Sequence, residues 1–160
     1  MAWNKLGSET LVTAGDNLTN TITATKFMQT LQHLLTDGVG TGIDQRIKFD
    51  SDGGANYAIR ARENGLTPDD LRVSQSSLNL AHNIGGNDQM YVWYTANISG
   101  EETLVISHVI IQGTVGAGSA PSRQELVGKY TAHVDTTIAS ENLRSGSFDT
   151  DSNMSTLGSD

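Results

Sequence analysis

Hydrophobic and polar positions change period several times along the chain, and most of the changes point to short strands. The densest stretch, residues 89–112, holds two runs of aromatic and β-branched residues around the polar Asn97-Ile98-Ser99-Gly100-Glu101-Glu102. That is how strand, turn and strand look in sequence, so a β-hairpin is expected. Both faces of both runs are apolar: Met90, Val92, Tyr94 and Ala96 against Tyr91 and Trp93, then Leu104, Ile106 and Ile110 against Val105, Val109 and Ile111. Strands of this kind are expected to be covered on both sides, at the centre of a sheet or at an interface. Residues 43–50 alternate strictly, and 56–62 return with Tyr57, Ile59 and Ala61 on one face across Ser51-Asp52-Gly53-Gly54, which predicts a second hairpin. Weaker patterns predict a first strand pair over 3–12 and 18–22, an exposed or edge strand over 73–80, and strands near 125–131 and 134–138.

One segment has a different period. Phe27, Met28, Leu31, Leu34 and Leu35 fall at i, i+1, i+4, i+7 and i+8, which predicts a single N-terminal helix over about 25–36, plugging an open end or covering an edge. Thr67-Pro68-Asp69-Asp70 fits either the start of a helical turn or a loop. From residue 141 onward Leu143, Phe148, Met154 and Leu157 stand far apart in polar chain, a spacing that suits docking on a neighbouring subunit. Roughly eight to ten short strands separated by turns make the expected class all-β, a sandwich or barrel. With 160 residues, one domain over 1–160 is expected.

Composition narrows the partners. Ten basic and eighteen acidic side chains leave a formal net charge of −8, which opposes binding to nucleic acid or to an anionic membrane. No apolar run approaches the ~18 residues of a membrane span, and no signal segment is read at the start. Without cysteine, disulfides and thiolate chemistry are excluded. Stability is left to packing, ions or oligomerisation.

Candidate chemistry is sparse. His33, His82, His108 and His133 show no metal-ligand spacing, and His108, among Leu104, Ile106 and Ile110, reads as a core histidine. The Gly-rich segments 38–42 and 113–118 match neither a dinucleotide fingerprint nor a P-loop, and no Gly-x-Ser-x-Gly elbow occurs. Asp149, Asp151 and Asn153 occupy the first alternating positions of a calcium loop, but Met154 stands where its glycine belongs and Asp160 where its glutamate belongs. Residues 50–54 form a second acidic turn; ordinary turn chemistry is the better reading of both. No cofactor is expected, with calcium the one ion to test. Tyr91 and Trp93 share a face, which makes either a core, a subunit contact or an aromatic platform for a sugar. Trp93, Tyr91, Trp3 and Phe148 are thus the candidate interface or ligand residues.

Distinctive stretches are Ala2-Trp3-Asn4-Lys5-Leu6-Gly7-Ser8, Phe49-Asp50-Ser51-Asp52-Gly53-Gly54-Ala55-Asn56-Tyr57-Ala58, the turn Asn97-Ile98-Ser99-Gly100-Glu101-Glu102, and Gly116-Ala117-Gly118-Ser119-Ala120-Pro121-Ser122-Arg123 with Glu125 and Val127-Gly128-Lys129. Ser145-Gly146-Ser147-Phe148, Ser152-Asn153-Met154-Ser155 and Leu157-Gly158 complete the set. In these stretches the chain resembles small structural proteins of the virions of tailed bacteriophages and related environmental viruses. The resemblance spans most of the chain and carries no catalytic residue. It implies a jelly-roll-like sandwich in a virion component. The expected function is therefore non-enzymatic: decorating or cementing a capsid, or building a tail or fibre, as a homo-oligomer, with a trimer favoured and other virion proteins as partners. The competing expectation is an adhesin or receptor-binding module that takes a host surface glycan. A polysaccharide hydrolase would need two carboxylates roughly 5–9.5 Å apart in a cleft.

Overall fold

The structure, a computed structural model, describes residues 2–36, 43–65, 69–79, 87–113, 115–144 and 146–160. Among these residues the regular elements are all strands. In chain order they are β1 (Asn4–Thr10), β2 (Asn17–Thr21), β3 (Phe27–Leu34), β4 (Gln45–Phe49), β5 (Tyr57–Glu63), β6 (Asp70–Gln75), β7 (Leu78–Asn79), β8 (Gln89–Ala96), β9 (Thr103–Ile111), β10 (Ser122–Tyr130), β11 (Thr137–Asn142) and β12 (Asn153–Ser159). They divide into an eight-stranded sheet, β1-β12-β3-β8-β9-β10-β5-β6, and a four-stranded sheet, β2-β11-β4-β7, and the ladders are antiparallel. The fold is an all-β sandwich.

The core lies between the sheets. Leu18, Ile47, Phe49, Leu78 and Ile138 of the smaller sheet meet Met28, Leu34, Tyr91, Trp93, Val105, Val109 and Leu126 of the larger one, all buried. Leu78 presses on the backbone of β10 at Gly128, where an added Cβ would lie 2.9 Å from Leu78 Cδ2. Only glycine leaves room there for the short β7 to cover that strand.

The hairpin expected over 89–112 is present as β8 and β9, paired from Gln89 with Ile111 to Ala96 with Leu104. Its central position in the sheet also holds. Four other expectations are corrected. The helix expected over about 25–36 is the strand β3, between β12 and β8. Its buried residues alternate as Met28, Thr30, Gln32 and Leu34, so two of the four inward positions are polar, while Phe27 and Leu31 point outward. Polar residues inside and apolar residues outside hide the period of two and leave apolar spacings that imitate a helical stripe. Partners from other strands satisfy the inward polar groups. Thr30 Oγ1 lies 3.1 Å from Thr156 Oγ1, Asn20 Nδ2 donates to Thr156 Oγ1 at 3.0 Å, and Gln32 Nε2 donates to Ser140 Oγ at 2.7 Å.

The second hairpin is a corner between sheets: β4 pairs with β11 and β7, whereas β5 pairs with β10 and β6. Asp50 and Ser51 adopt positive φ of 50° and 59°, and this turns the chain out of one sheet and into the other. The first strand pair is split in the same way, with β1 on β12 and β2 on β11. Within the C-terminal stretch, β12 is laddered between β1 and β3 with Met154 fully buried. The single edge strand expected over 73–80 is two: β6, at Asp70–Gln75, edges the larger sheet, and β7, at Leu78–Asn79, edges the smaller one. Residues 38–42, the Thr67-Pro68 start of a turn and His82 lie outside the described residues.

Candidate interaction surface

Strict alternation along β8, β9 and β10 sorts their side chains into two populations. Inward are Gln89, Tyr91, Trp93 and Thr95 on β8 and Thr103, Val105, Ser107, Val109 and Ile111 on β9, all buried. Outward are Met90, Val92, Tyr94 and Ala96, then Leu104, Ile106, His108 and Ile110, then Arg123, Glu125, Val127 and Lys129. The ladders set Tyr94 opposite Ile106 and Ile106 opposite Val127, so these three make a row across three strands. Met90 lies opposite Ile110, and Ala96 opposite Leu104. Tyr94 is 48%, Leu104 55% and Ile106 53% exposed, and Met90, Ile110 and Val127 are close to half exposed. No part of the described chain covers this face.

Charged residues rim the apolar row. On the β5 side Arg60 Nη1 and Arg62 Nε reach Asp69 at 3.2 and 2.9 Å, and these two guanidinium groups hold the Asp69 carboxyl below its ordinary range. Lys129 Nζ binds Glu102 at 2.8 Å, and Arg123 stands 3.9 Å from Glu125. Toward the N-terminal strand, Trp3, Phe27, Tyr94, Ala96, Leu104 and Ile106 border an open apolar hollow of about 350 Å³.

The residues singled out from sequence separate accordingly. Tyr91, Trp93 and Phe148 are each 0% exposed and fill the core. They cannot touch a second subunit or a sugar without unfolding of the sandwich. Burial, with a smaller contribution from Asp44, pushes the Tyr91 hydroxyl well above its usual pKa, and it donates to Gln89 Oε1. Trp3 alone of the four is exposed, beside the hollow. His108, expected in the core, points outward from the middle of the apolar face, opposite Val92 and Glu125. Sequence reading placed the contact on the Tyr91 and Trp93 side, whereas the exposed apolar side is the alternate one. The signal was two-sided hydrophobicity, which shows that both faces need cover but not which face the fold itself covers.

The acidic turns serve the fold. Asp50 accepts the amides of Asp135, Thr136 and Thr137 at 2.7, 2.8 and 2.9 Å, tying the corner to the start of β11. Asp52 accepts from Asn56 Nδ2 at 2.8 Å and from the Gly54 amide at 2.7 Å, and these bonds lower its pKa. Behind the corner, Tyr57 and Tyr130 stack with ring centroids 4.8 Å apart. Burial and the hydrogen bond to Asp52 push Tyr130 up to about 12, and burial raises Tyr57 further. In the other turn Asp149 Oδ1 accepts the Thr150 amide at 2.7 Å and Asn153 Nδ2 donates to the Asp151 carbonyl at 3.1 Å. The Asp149 and Asn153 side chains are thus engaged with local backbone. His133 pairs with Asp135 at 2.8 Å. Among the described residues no three His, Asp or Glu side chains converge as metal ligands would.

No family model and no curated protein matches the chain. Among solved structures, a legume lectin-like domain from Entamoeba histolytica aligns with 94% of this chain and 87% of its own, at 10% identity and a TM-score of 0.17. A likeness that slight carries no argument about fold or function.

Proposed function

We propose that the chain is a non-enzymatic structural subunit of a tailed-virus particle that works by burying surface against neighbouring subunits, decorating or cementing the capsid or building tail or fibre. One observation carries the reading: central strands of the larger sheet present an aliphatic outer face that the described residues leave in solvent. An apolar patch at the upper end of what single chains expose marks a site of contact. The virion setting rests on the resemblance, and the strand order is in keeping with it. Strands β1-β12-β3-β8 facing β2-β11-β4-β7 follow the order that two Greek keys generate, so we infer a jelly roll into which the pairs β5-β6 and β9-β10 have been inserted to widen one sheet. Jelly rolls serve viral capsids and lectins alike.

The sugar-binding reading loses its platform, because Tyr91 and Trp93 are enclosed. Trp3 and Tyr94 remain, but the hollow beside them is lined mainly by apolar atoms and offers few groups to orient a sugar hydroxyl. The test is direct: antibody labelling and peptide mass spectrometry of purified particles should find the chain at fixed stoichiometry. Absence from particles, or saturable binding on a glycan array, would overturn the reading.

A further inference from the structure

We propose that the occupant of the outer face is a second copy of this chain, packed face to face across a twofold axis that passes the row Tyr94, Ile106 and Val127. The inference rests on the structural-subunit reading and names its partner.

Three features favour a second copy over another protein. The first is area. Met90, Tyr94, Leu104, Ile106, Ile110 and Val127, each about half exposed, offer on the order of 600 Å² of apolar surface, at the upper end of the ~300–600 Å² patch of a typical monomer. A standard interface takes ~800 Å² per partner, and the remainder would come from the charged stems at the rim. The second is charge. Arg60, Arg62, Arg123 and Lys129 stand around this face against Asp69, Glu102 and Glu125, so it is close to neutral in a chain of net charge −8. The repulsion that would separate two acidic copies is therefore carried elsewhere on the molecule. The third is self-complementarity. On β10, Glu125 and Lys129 lie two residues to either side of Val127 on the outward face. A twofold axis at Val127, perpendicular to the strands, returns the row to itself and sets Glu125 of each copy over Lys129 of the other. An isologous contact needs this property, in which one patch serves both sides. It yields a pair of chains, where the sequence reading favours a trimer.

The chain has no cysteine, which gives a clean test. In the Val127→Cys variant, a short bifunctional maleimide, long enough to span the gap of about 10 Å between two stacked sheets, should join each chain to its own counterpart. Val12→Cys, at a position 86% exposed but away from the face, should stay uncoupled under the same conditions. Sedimentation equilibrium of the unmodified protein should report twice 17.1 kDa. Ile106→Thr, which keeps a β-branched residue on an already exposed position, should weaken association at least tenfold with the circular dichroism spectrum unchanged. Glu125→Lys and Lys129→Glu should each weaken it, and the double variant should restore it, because the swap rebuilds both pairs. A protein that is monomeric throughout, equal cross-linking of Val12→Cys, or a double variant no better than the singles would overturn the inference. A monomer that still occupies purified particles overturns the second copy alone; a pair that is absent from particles overturns the virion reading alone.

Discussion

The two faces of the β8–β9 pair have traded the composition expected of inside and outside. The enclosed face carries Gln89, Thr95, Thr103 and Ser107 among its aromatic and aliphatic groups, whereas the outer face of the same strands is aliphatic or aromatic at every position except His108. Neighbours within the fold answer some of the inner polar groups: Thr103 Oγ1 donates to the Ala132 carbonyl at 2.8 Å, and Gln89 Oε1 accepts from the Tyr91 hydroxyl. The outer face has no such partner among the described residues. Apolar content is therefore a poor guide to which side of a strand is the core, and what separates the sides is whether other strands of the same chain can reach them.

Neighbouring residues on β8 test this contrast most strongly. Trp93 is fully buried, so Trp93→Ala should cost about 3–5 kcal/mol, read as a drop in the urea midpoint with the slope unchanged. Tyr94→Ala, one residue on and half exposed, should cost under about 1 kcal/mol when measured at dilutions where the chain is monomeric. Comparable losses at both positions would mean that the outer face already belongs to a core.

Alkaline pH attacks the enclosed side next. Tyr57, Tyr91 and Tyr130 all have raised folded pKa values, caused first by burial, with Tyr130 at about 12. The folded state then holds more protons than the unfolded chain once pH passes about 10, the ordinary tyrosine value, so stability must fall as pH rises from there through 12. It should be flat below 10 on account of these groups. Spectrophotometric titration should show the three buried tyrosines ionising only with unfolding, and reversible ionisation of more than one of the four tyrosines near pH 10 without loss of structure would break the assignment.

Gln45→Ala should come third. It removes the amide that serves Gln32 and Ser140 between the sheets and should cost about 1–3 kcal/mol, because desolvated partners are left behind. Thermal unfolding checks it, and a neutral result would mean that the polar layer holds nothing together.

That polar layer also explains which parts of the fold the sequence disclosed. The hairpin over 89–112 was legible since its two strands are neighbours in the chain and their residues are strongly β-forming. The strand β3 was not, because Thr30 and Gln32 face inward and are answered by Thr156 and Ser140, more than a hundred residues away. Nor was the corner at 50–54, where turn residues that suit a hairpin carry the chain between sheets under the hold of Asp50 on the amides of 135–137. In β12, Thr156 and Gly158 point into the sandwich between Met154 and the chain end, so the apolar anchors looked too sparse for a central strand. The outer face was half legible: the residues were visible, but the side each occupied depended on which set the small sheet would cover.

The smallest expected effect bears on the same contrast from within. Ser107 lies on the inner face of β9, opposite Trp93 on β8 and Leu126 on β10, and its Oγ has no hydrogen-bond partner. Trp93 Nε1 is also unpartnered. A buried hydroxyl with nothing to bond carries a desolvation cost that a methyl group escapes, while the volume lost from Ser to Ala is small. Ser107→Ala should therefore raise stability, by up to about 1 kcal/mol, seen as a higher urea midpoint at constant slope. A loss of similar size would show that the hydroxyl is satisfied in solution, through water shared with the indole. The inner face would then be more fully paired than its protein partners alone make it, and the aliphatic outer face would stand as the side of these strands that no described residue covers.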